Sequence, residues 1–306
     1  MTSSPKAVVP PGAWDTHTHV MDPEAWPYAP TRDYTPKAAL LSEYPTRITG
    51  CTSIVVVQAS MQGRSVEPLL DTLAKGSTLP NTTLRGLATF YGDDDDDLSP
   101  EYLDKLHAAG VRGTRMQMMA WGHGEQRGGE AILERIRRFE KPFARLGWVI
   151  CVFCPLKAWA EMADGLRSID PRVKIIADHC GGSFPGSETK PAFQSLLGLL
   201  RDDIIHIKLS GLERLYHGHT DSILSMAPIV WAIVEAGPSR IMFGSDWPHT
   251  QLGVSRVGKT EEQRLTEIED FRDVPVRQHI EALRAWITDD NVWQDFWTST
   301  PERLFH

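Results

Sequence analysis

The 306-residue chain has no run of about 18 apolar residues, the length a helix needs to cross a bilayer. A membrane-spanning helix is therefore not expected. The stretch Met1 to Gly12 is polar and proline-bearing, and it lacks the apolar core of a signal peptide. That argues for a cytoplasmic protein whose first residues fray. Excess positive charge is missing too: the formal net charge is −8, which makes nucleic acid an improbable partner. Cysteine is scarce. Of Cys51, Cys151, Cys154 and Cys180, the Cys151-x-x-Cys154 pair has no second pair to complete a zinc ribbon. Four ordinary buried thiols in a reducing compartment are the simpler reading. No Gly-x-Gly-x-x-Gly follows an early strand, so a dinucleotide-binding sheet loses its main support. Neither an internal repeat nor a dividing linker interrupts the chain.

What is present is alternation. Short runs rich in Val and Ile read as strands at 14–19, 53–58, 84–90, 111–117, 148–153, 173–178, 204–209 and 240–244. Runs such as Ile54-Val55-Val56-Val57 suit strands buried on both faces. Amphipathic helical patterns lie between them at 65–75, 100–109, 129–146, 157–169, 191–200 and 221–236. Ser99-Pro100-Glu101 reads as a cap followed by proline in the first turn. Eight strands with intervening helices predict α/β architecture, a distorted TIM (β/α)8 barrel. The division is a flexible segment 1–12 and one barrel domain, 13–306, with helices at its C-terminal end. Met21 to Pro45, with Pro23, Pro27, Pro30 and Pro36 plus Trp26, Tyr28 and Tyr34, is expected to wall a pocket as a long loop. The run Asp93 to Asp97 reads as a solvated loop. Pro275 to His306 is expected to pack outside the barrel, with Trp286, Trp293, Phe296 and Trp297 as core.

All strand C-termini of such a barrel open onto one face. Strand one brings His17 and His19, two residues apart and so on one side of an extended strand. Strand two brings Gln58 and Ser60, strand four Arg115 and Gln117, and strand six Asp178 and His179. Strand seven leads through Lys208 and Ser210 to Glu213 and Arg214, and strand eight ends in Asp246 and His249. Singly, each has a structural reading: a satisfied core histidine, a turn aspartate, a helix cap. Together, three histidines and an aspartate at one mouth fit either a transition-metal site or a metal-free acid/base centre. His217-Gly218-His219 lies in a loop context and, like His123, is not assigned a role.

The motifs Asp15-Thr16-His17-Thr18-His19, Asp178-His179-Cys180-Gly181-Gly182 and Phe243-Gly244-Ser245-Asp246-Trp247-Pro248-His249 resemble the amidohydrolase superfamily. The similarity is to the amidohydrolase-related (amidohydrolase 2) branch that holds 2-pyrone-4,6-dicarboxylate lactonase and sugar lactonases. It extends through Pro27-Tyr28-Ala29-Pro30, Val57-Gln58-Ala59-Ser60 and Val111-Arg112-Gly113-Thr114-Arg115. The resemblance implies a hydrolase that opens a lactone or similar cyclic ester. Asp246 would be the general base, and His17, His19 and His179 would polarise the carbonyl. The same four residues would hold one divalent metal, zinc by preference, if one is bound; a metal-free centre is the other reading. A lysine is missing at the strand-four end, so a carboxylated-lysine bridge between two metals is not expected.

By the same resemblance, Arg115, Arg214, Gln58, Ser60, Tyr34, Trp121 and His249 are expected at the substrate. Positions where the pyrone lactonases carry further arginines and a tyrosine correspond to Trp121, Gly182 and Val152. A small, aromatic or weakly acidic substrate is expected, because bidentate carboxylate binding needs the guanidinium fork. The alternative is a metal-dependent non-oxidative decarboxylase of an aromatic or unsaturated acid. That chemistry calls for a further histidine after the strand following His179, a region that reads Ile207-Lys208-Leu209-Ser210 with His206 and His217 on either side. A small molecule is the expected partner, and a homodimer is compatible with the chain.

Overall fold

The computed structural model describes residues 9–77, 79, 81–118, 128–220 and 222–306. Trp121, His123 and Asp221 lie outside the described residues, as does most of the segment expected to fray.

Eight parallel strands form the barrel: β1 (Trp14–Thr18), β2 (Ser53–Val57), β3 (Thr83–Ala88), β4 (Val111–Gln117), β5 (Val149–Phe153), β6 (Lys174–Ala177), β7 (Ile205–Ser210) and β8 (Ile241–Gly244). Each pairs with the next in chain order, as in Ser53 opposite Thr83 through Val57 opposite Leu87. The period of two sorts β2 cleanly. Val55 and Val57 join Leu87, Val149, Cys151, Ile176 and Met242 inside the barrel, while Ile54 and Val56 meet the helical layer. Helices Glu67–Gly76, Pro100–Ala108, Gly129–Leu146, Leu156–Leu166, Pro191–Arg201 and Ala227–Ala236 form that layer. Pro100 does stand in the first turn of its helix after Ser99, although the Ser99 side chain makes no capping bond. The helix expected over 221–236 is shorter: a 3-10 turn, Ile223–Met226, leads into Ala227, and Pro228 occupies the first helical turn. All four cysteines are free and buried. Among the described residues, no helix is long and apolar enough to cross a membrane.

β8 and β1 close the ring without a regular ladder. The Asp246 amide donates to the His17 carbonyl at 2.9 Å, the His19 amide to the Trp247 carbonyl at 2.8 Å, and the Thr16 hydroxyl to the Phe243 carbonyl at 2.6 Å. The seam thus runs through the residues singled out as candidates for chemistry.

Two expectations need correction. The last helix, Ser299–Phe305, does not pack outside the barrel: Leu304 and Phe305 enter the interior cluster from below, with the Phe305 ring 6.4 Å from Trp14. The barrel interior is narrow and apolar at that end, so an apolar helix tip seals it. Trp293, Phe296 and Trp297 do form core on the outside, where Trp297 lies 4.3 Å from Phe243. The acidic run is also not fully solvated. The Asp96 side chain is enclosed and accepts the amides of Tyr91 and Gly92, and the Arg64 guanidinium grips Asp93 and Asp96.

Candidate active site

A bulge in β1 sets up the site. Asp15 pairs with Ile54 but Thr18 pairs with Val56, so two residues oppose one between them. Asp15 consequently faces outward, accepting hydrogen bonds from the Tyr44 hydroxyl and the Ser245 amide, both at 2.8 Å. His17 is re-aimed inward beside His19 and His179, with ring centroids 5.1 and 4.6 Å away. Burial pushes the Asp15 carboxyl up to about 6 despite those hydrogen bonds. Its part is to pin the first strand to the loop after the last.

The centre is built around Asp246. Its Oδ2 accepts from Arg214 Nε at 2.5 Å, while its Oδ1 faces the Nε2 atoms of His17, His19 and His179 at 3.7, 3.8 and 3.9 Å. Burial alone would raise the Asp246 carboxyl. Arg214, with the three imidazoles, outweighs it and holds the group well below the carboxylate range. Burial likewise lowers His19 and His179 to about 4 and holds His17 well below its ordinary value, which favours neutral imidazoles at pH 7. His179 and Asp246 both adopt left-handed backbone, with φ of 51° and 62°. Non-glycine residues hold such conformations at a cost of roughly 1–3 kcal/mol each, and such strain concentrates at functional sites. Space is cleared for the imidazoles. A Cβ on Gly244 would lie 2.7 Å from His17 Cβ, and one on Gly211 would lie 2.8 Å from His179 Nδ1.

Beneath this centre lies a second buried anion. Asp178 is fully enclosed, with Lys208 Nζ 3.1 Å from Oδ1, Arg115 Nε 3.4 Å from Oδ2 and His17 Nδ1 3.6 Å from Oδ1. Burial would raise Asp178; Lys208, His17 and Arg115 together hold it well below the ordinary value. The Lys208 contact is an ion pair by distance, although its angle makes no hydrogen bond.

The residues suit a divalent cation. The ligand atoms of His17, His179 and Asp246 lie within 4.8 Å of one another, and neither ring nitrogen of the fully buried His17 has a hydrogen-bond partner. His19 Nδ1 meets only the Val57 carbonyl, at 2.8 Å, so it must carry the ring proton. The bare Nε2 lone pair then faces a carboxylate oxygen, an arrangement that a cation between them makes favourable. Imidazole and carboxylate ligands are those of mononuclear transition-metal sites.

A cavity of about 610 Å³ opens above the centre, lined among others by His19, Tyr34, Ser60, Arg115, His179, Arg214 and Asp246. The long loop after β1 does wall it, through Met21, Asp33 and Tyr34. Two expected substrate contacts lie elsewhere. Gln58 is consumed by scaffolding: its amide nitrogen bonds the carbonyls of Gly63 and Ser65, and its oxygen accepts the Thr89 amide. His249 lines a separate small space behind Asp246 together with His279 and Glu213. Trp121 lies outside the described residues. His217 and His219 are exposed, the latter stacked on Phe184. On β5 the residue that lines the cavity is Phe153, edge-on to His179 at 4.6 Å, whereas Val152 packs into the helical layer. Sequence reading also missed Arg256, Lys259 and Arg264, which line the outer wall.

A family model described as amidohydrolase matches residues 14–296. The 4-sulfomuconolactone hydrolase of Hydrogenophaga intermedia is 26% identical over 79% of this chain and 77% of its own length. The 2-pyrone-4,6-dicarboxylate hydrolase of Comamonas testosteroni is 28% identical, covering 82% of this chain and 81% of that protein. A solved structure from Agrobacterium tumefaciens superposes with a TM-score of 0.78 at 20% identity, across 99% of this chain and 98% of the other, and shares the fold.

Proposed function

The chain belongs to the amidohydrolase family, and from that premise we propose that it opens a lactone or similar cyclic ester of a small aromatic or weakly acidic substrate. The observation that carries this reading is the convergence of three imidazoles on one carboxylate, at the floor of a cavity large enough for a small ring. Two relatives named as hydrolases of lactone-type rings support it.

The substrate enters from the open mouth of the barrel, its carbonyl toward the imidazoles. Asp246 is ionised throughout the physiological range and accepts a proton from the attacking water. Arg214 occupies Oδ2 and so directs Oδ1 toward the reacting atoms. After the tetrahedral stage, Asp246 returns the proton to the departing ring oxygen, and the product is a hydroxy acid. Arg115 and Arg214 supply positive charge for the carboxylate that forms. His17, His19, His179 and Asp246 would hold a divalent metal, zinc by the chemistry of the donors; when bound it polarises the carbonyl and lowers the pKa of water.

Non-oxidative decarboxylation is the second reading, but the histidine it calls for beyond His179 finds no support. Among the described residues, His206 is buried near the start of β7 and His217 is exposed, and neither lines the cavity. The test is a turnover screen across lactones with D246N alongside. Loss of about 100-fold or more in kcat is expected for a displaced general base. Full activity in D246N would sink the mechanism, and carbon dioxide release from an aromatic acid would favour the second reading.

A further inference from the structure

Among the described residues, five cationic side chains line the cavity, against two carboxylates, Asp33 and Asp246. Four of the five are already engaged. Arg115 meets Asp178 and Arg214 meets Asp246. Arg256 grips Glu269 through Nε and Nη2, and lays its face on Tyr34 at 3.5 Å. Lys259 Nζ lies 2.9 Å from Glu267. The fifth, Arg264, is partly buried in the cavity wall and has no side-chain hydrogen bond or ion pair among the described residues.

The short helix that carries Arg264, Glu261–Thr266, is firmly held. Thr260 caps it: its hydroxyl accepts the Gln263 amide at 3.1 Å, and Gln263 Oε1 accepts the Thr260 amide at 2.9 Å. The Leu265 carbonyl accepts from Arg32 at 2.8 Å and from the Thr35 hydroxyl at 2.7 Å. Just beyond, Ile268–Glu269 forms a two-stranded ladder with Thr35–Pro36. A guanidinium carried on a held helix, with its donors unspent at a cavity wall, is available to a planar or tetrahedral oxyanion.

We propose that Arg264 is a specificity-determining residue that receives an anionic substituent, carboxylate or sulfonate, on the part of the substrate away from the bond that breaks. The assignment rests on the lactone-hydrolase reading of the same cavity. Arg256 is less free for this part, because Glu269 takes its Nε–Nη2 edge and Tyr34 lies against its face. Binding at Arg264 is felt equally in ground and transition states, so its loss raises KM and leaves kcat unchanged.

The experiment is calorimetric titration of the intact protein with three stable probes: benzoate, isophthalate and 3-sulfobenzoate. The two dianions should bind more tightly than benzoate, and the advantage should shrink as salt is raised. In R264Q the dianions should weaken about tenfold with benzoate little changed, and R264K should recover part of the difference. A larger effect on isophthalate identifies a carboxylate as the preferred anion, and a larger effect on 3-sulfobenzoate a sulfonate. Equal weakening of all three probes, unchanged dianion binding in R264Q, or a wild type that does not favour the dianions would each overturn the assignment. Turnover separates it from the function it rests on. If wild-type protein hydrolyses a carboxylated pyrone and R264Q does so with unchanged KM, the Arg264 assignment fails alone. If R264Q loses the dianions while no lactone is opened by wild type, Arg264 stands as an anion site and the hydrolase reading fails.

Discussion

Replacing Lys208 with methionine removes the cation that sits 3.1 Å from Asp178 Oδ1 with both side chains fully enclosed. At an effective dielectric of about 20 the Coulomb attraction at that separation is roughly 5 kcal/mol. Part of it is returned, because the ammonium no longer has to be desolvated. Asp178 also keeps Arg115 and His17 as neighbours. Breaking one side of a buried ion pair typically costs about 3–5 kcal/mol. With two partners remaining, K208M should lie near the lower end, about 3 kcal/mol. D178N alone strands the lysine in the barrel interior and should cost a similar amount. The double variant K208M/D178N removes both charges and should cost about 4 kcal/mol, less than the sum of the two singles by a coupling of about 2 kcal/mol. Urea denaturation of the four proteins measures the cycle. A K208M midpoint indistinguishable from the parent, or a double variant equal to the sum of the singles, would refute the account of Asp178 as an anion held by Lys208.

Gly244→Ala places a methyl group 2.7 Å from His17 Cβ and 2.9 Å from Ser210 Cβ; displacing the imidazole should lower kcat about 100-fold, and a variant with full activity would show that His17 need not stand where it does. His206 is held at about 4, below the ordinary 6.5, by burial first and then by Lys174 and Arg303. Between those two values the unfolded chain binds a proton that the native state refuses, so the contribution is complete above pH 6.5 and is lost as pH falls toward 4. The full step is about 3 kcal/mol. H206Q should therefore lose less stability than the parent between neutral pH and about pH 5; equal losses would contradict the assignment. Chelation should lower activity and thermal midpoint together, both restored by zinc, because a metal that binds only the native state stabilises it. Unchanged activity and midpoint in demetallated protein would mean that the centre works through its histidines.

The strands were legible because Val- and Ile-rich runs buried on both faces carry no competing periodicity. The same property hid which face of a strand looks inward. Val152 and Phe153 are equally apolar, and only the barrel shows that Phe153 meets His179. His17 and His19 were legible from their spacing. Asp15, at the same spacing, was turned away by a bulge that leaves no mark in residue type. Gln58 resembled a ligand contact because an amide at a strand end can serve a substrate or a loop, and here the loop takes every bond. The cations at 256, 259 and 264 sit among glutamates in a polar stretch that reads as solvated surface. Only the ladder between Thr35–Pro36 and Ile268–Glu269 turns that stretch toward the cavity.

The helix tip at the base of the barrel has a consequence in time. Trp14, in the first strand, has its aromatic neighbour in Phe305, in the last helix. At about 5–20 residues per second, the two emerge roughly 15 to 60 s apart. All eight strands are therefore synthesised before the interior can be stoppered, and until then its lower apolar layer stands open to water. A nascent chain in that state is a client for chaperones. Substitutions at Leu304 or Phe305 should accordingly reduce the yield of folded protein more than they reduce the activity of the molecules that fold.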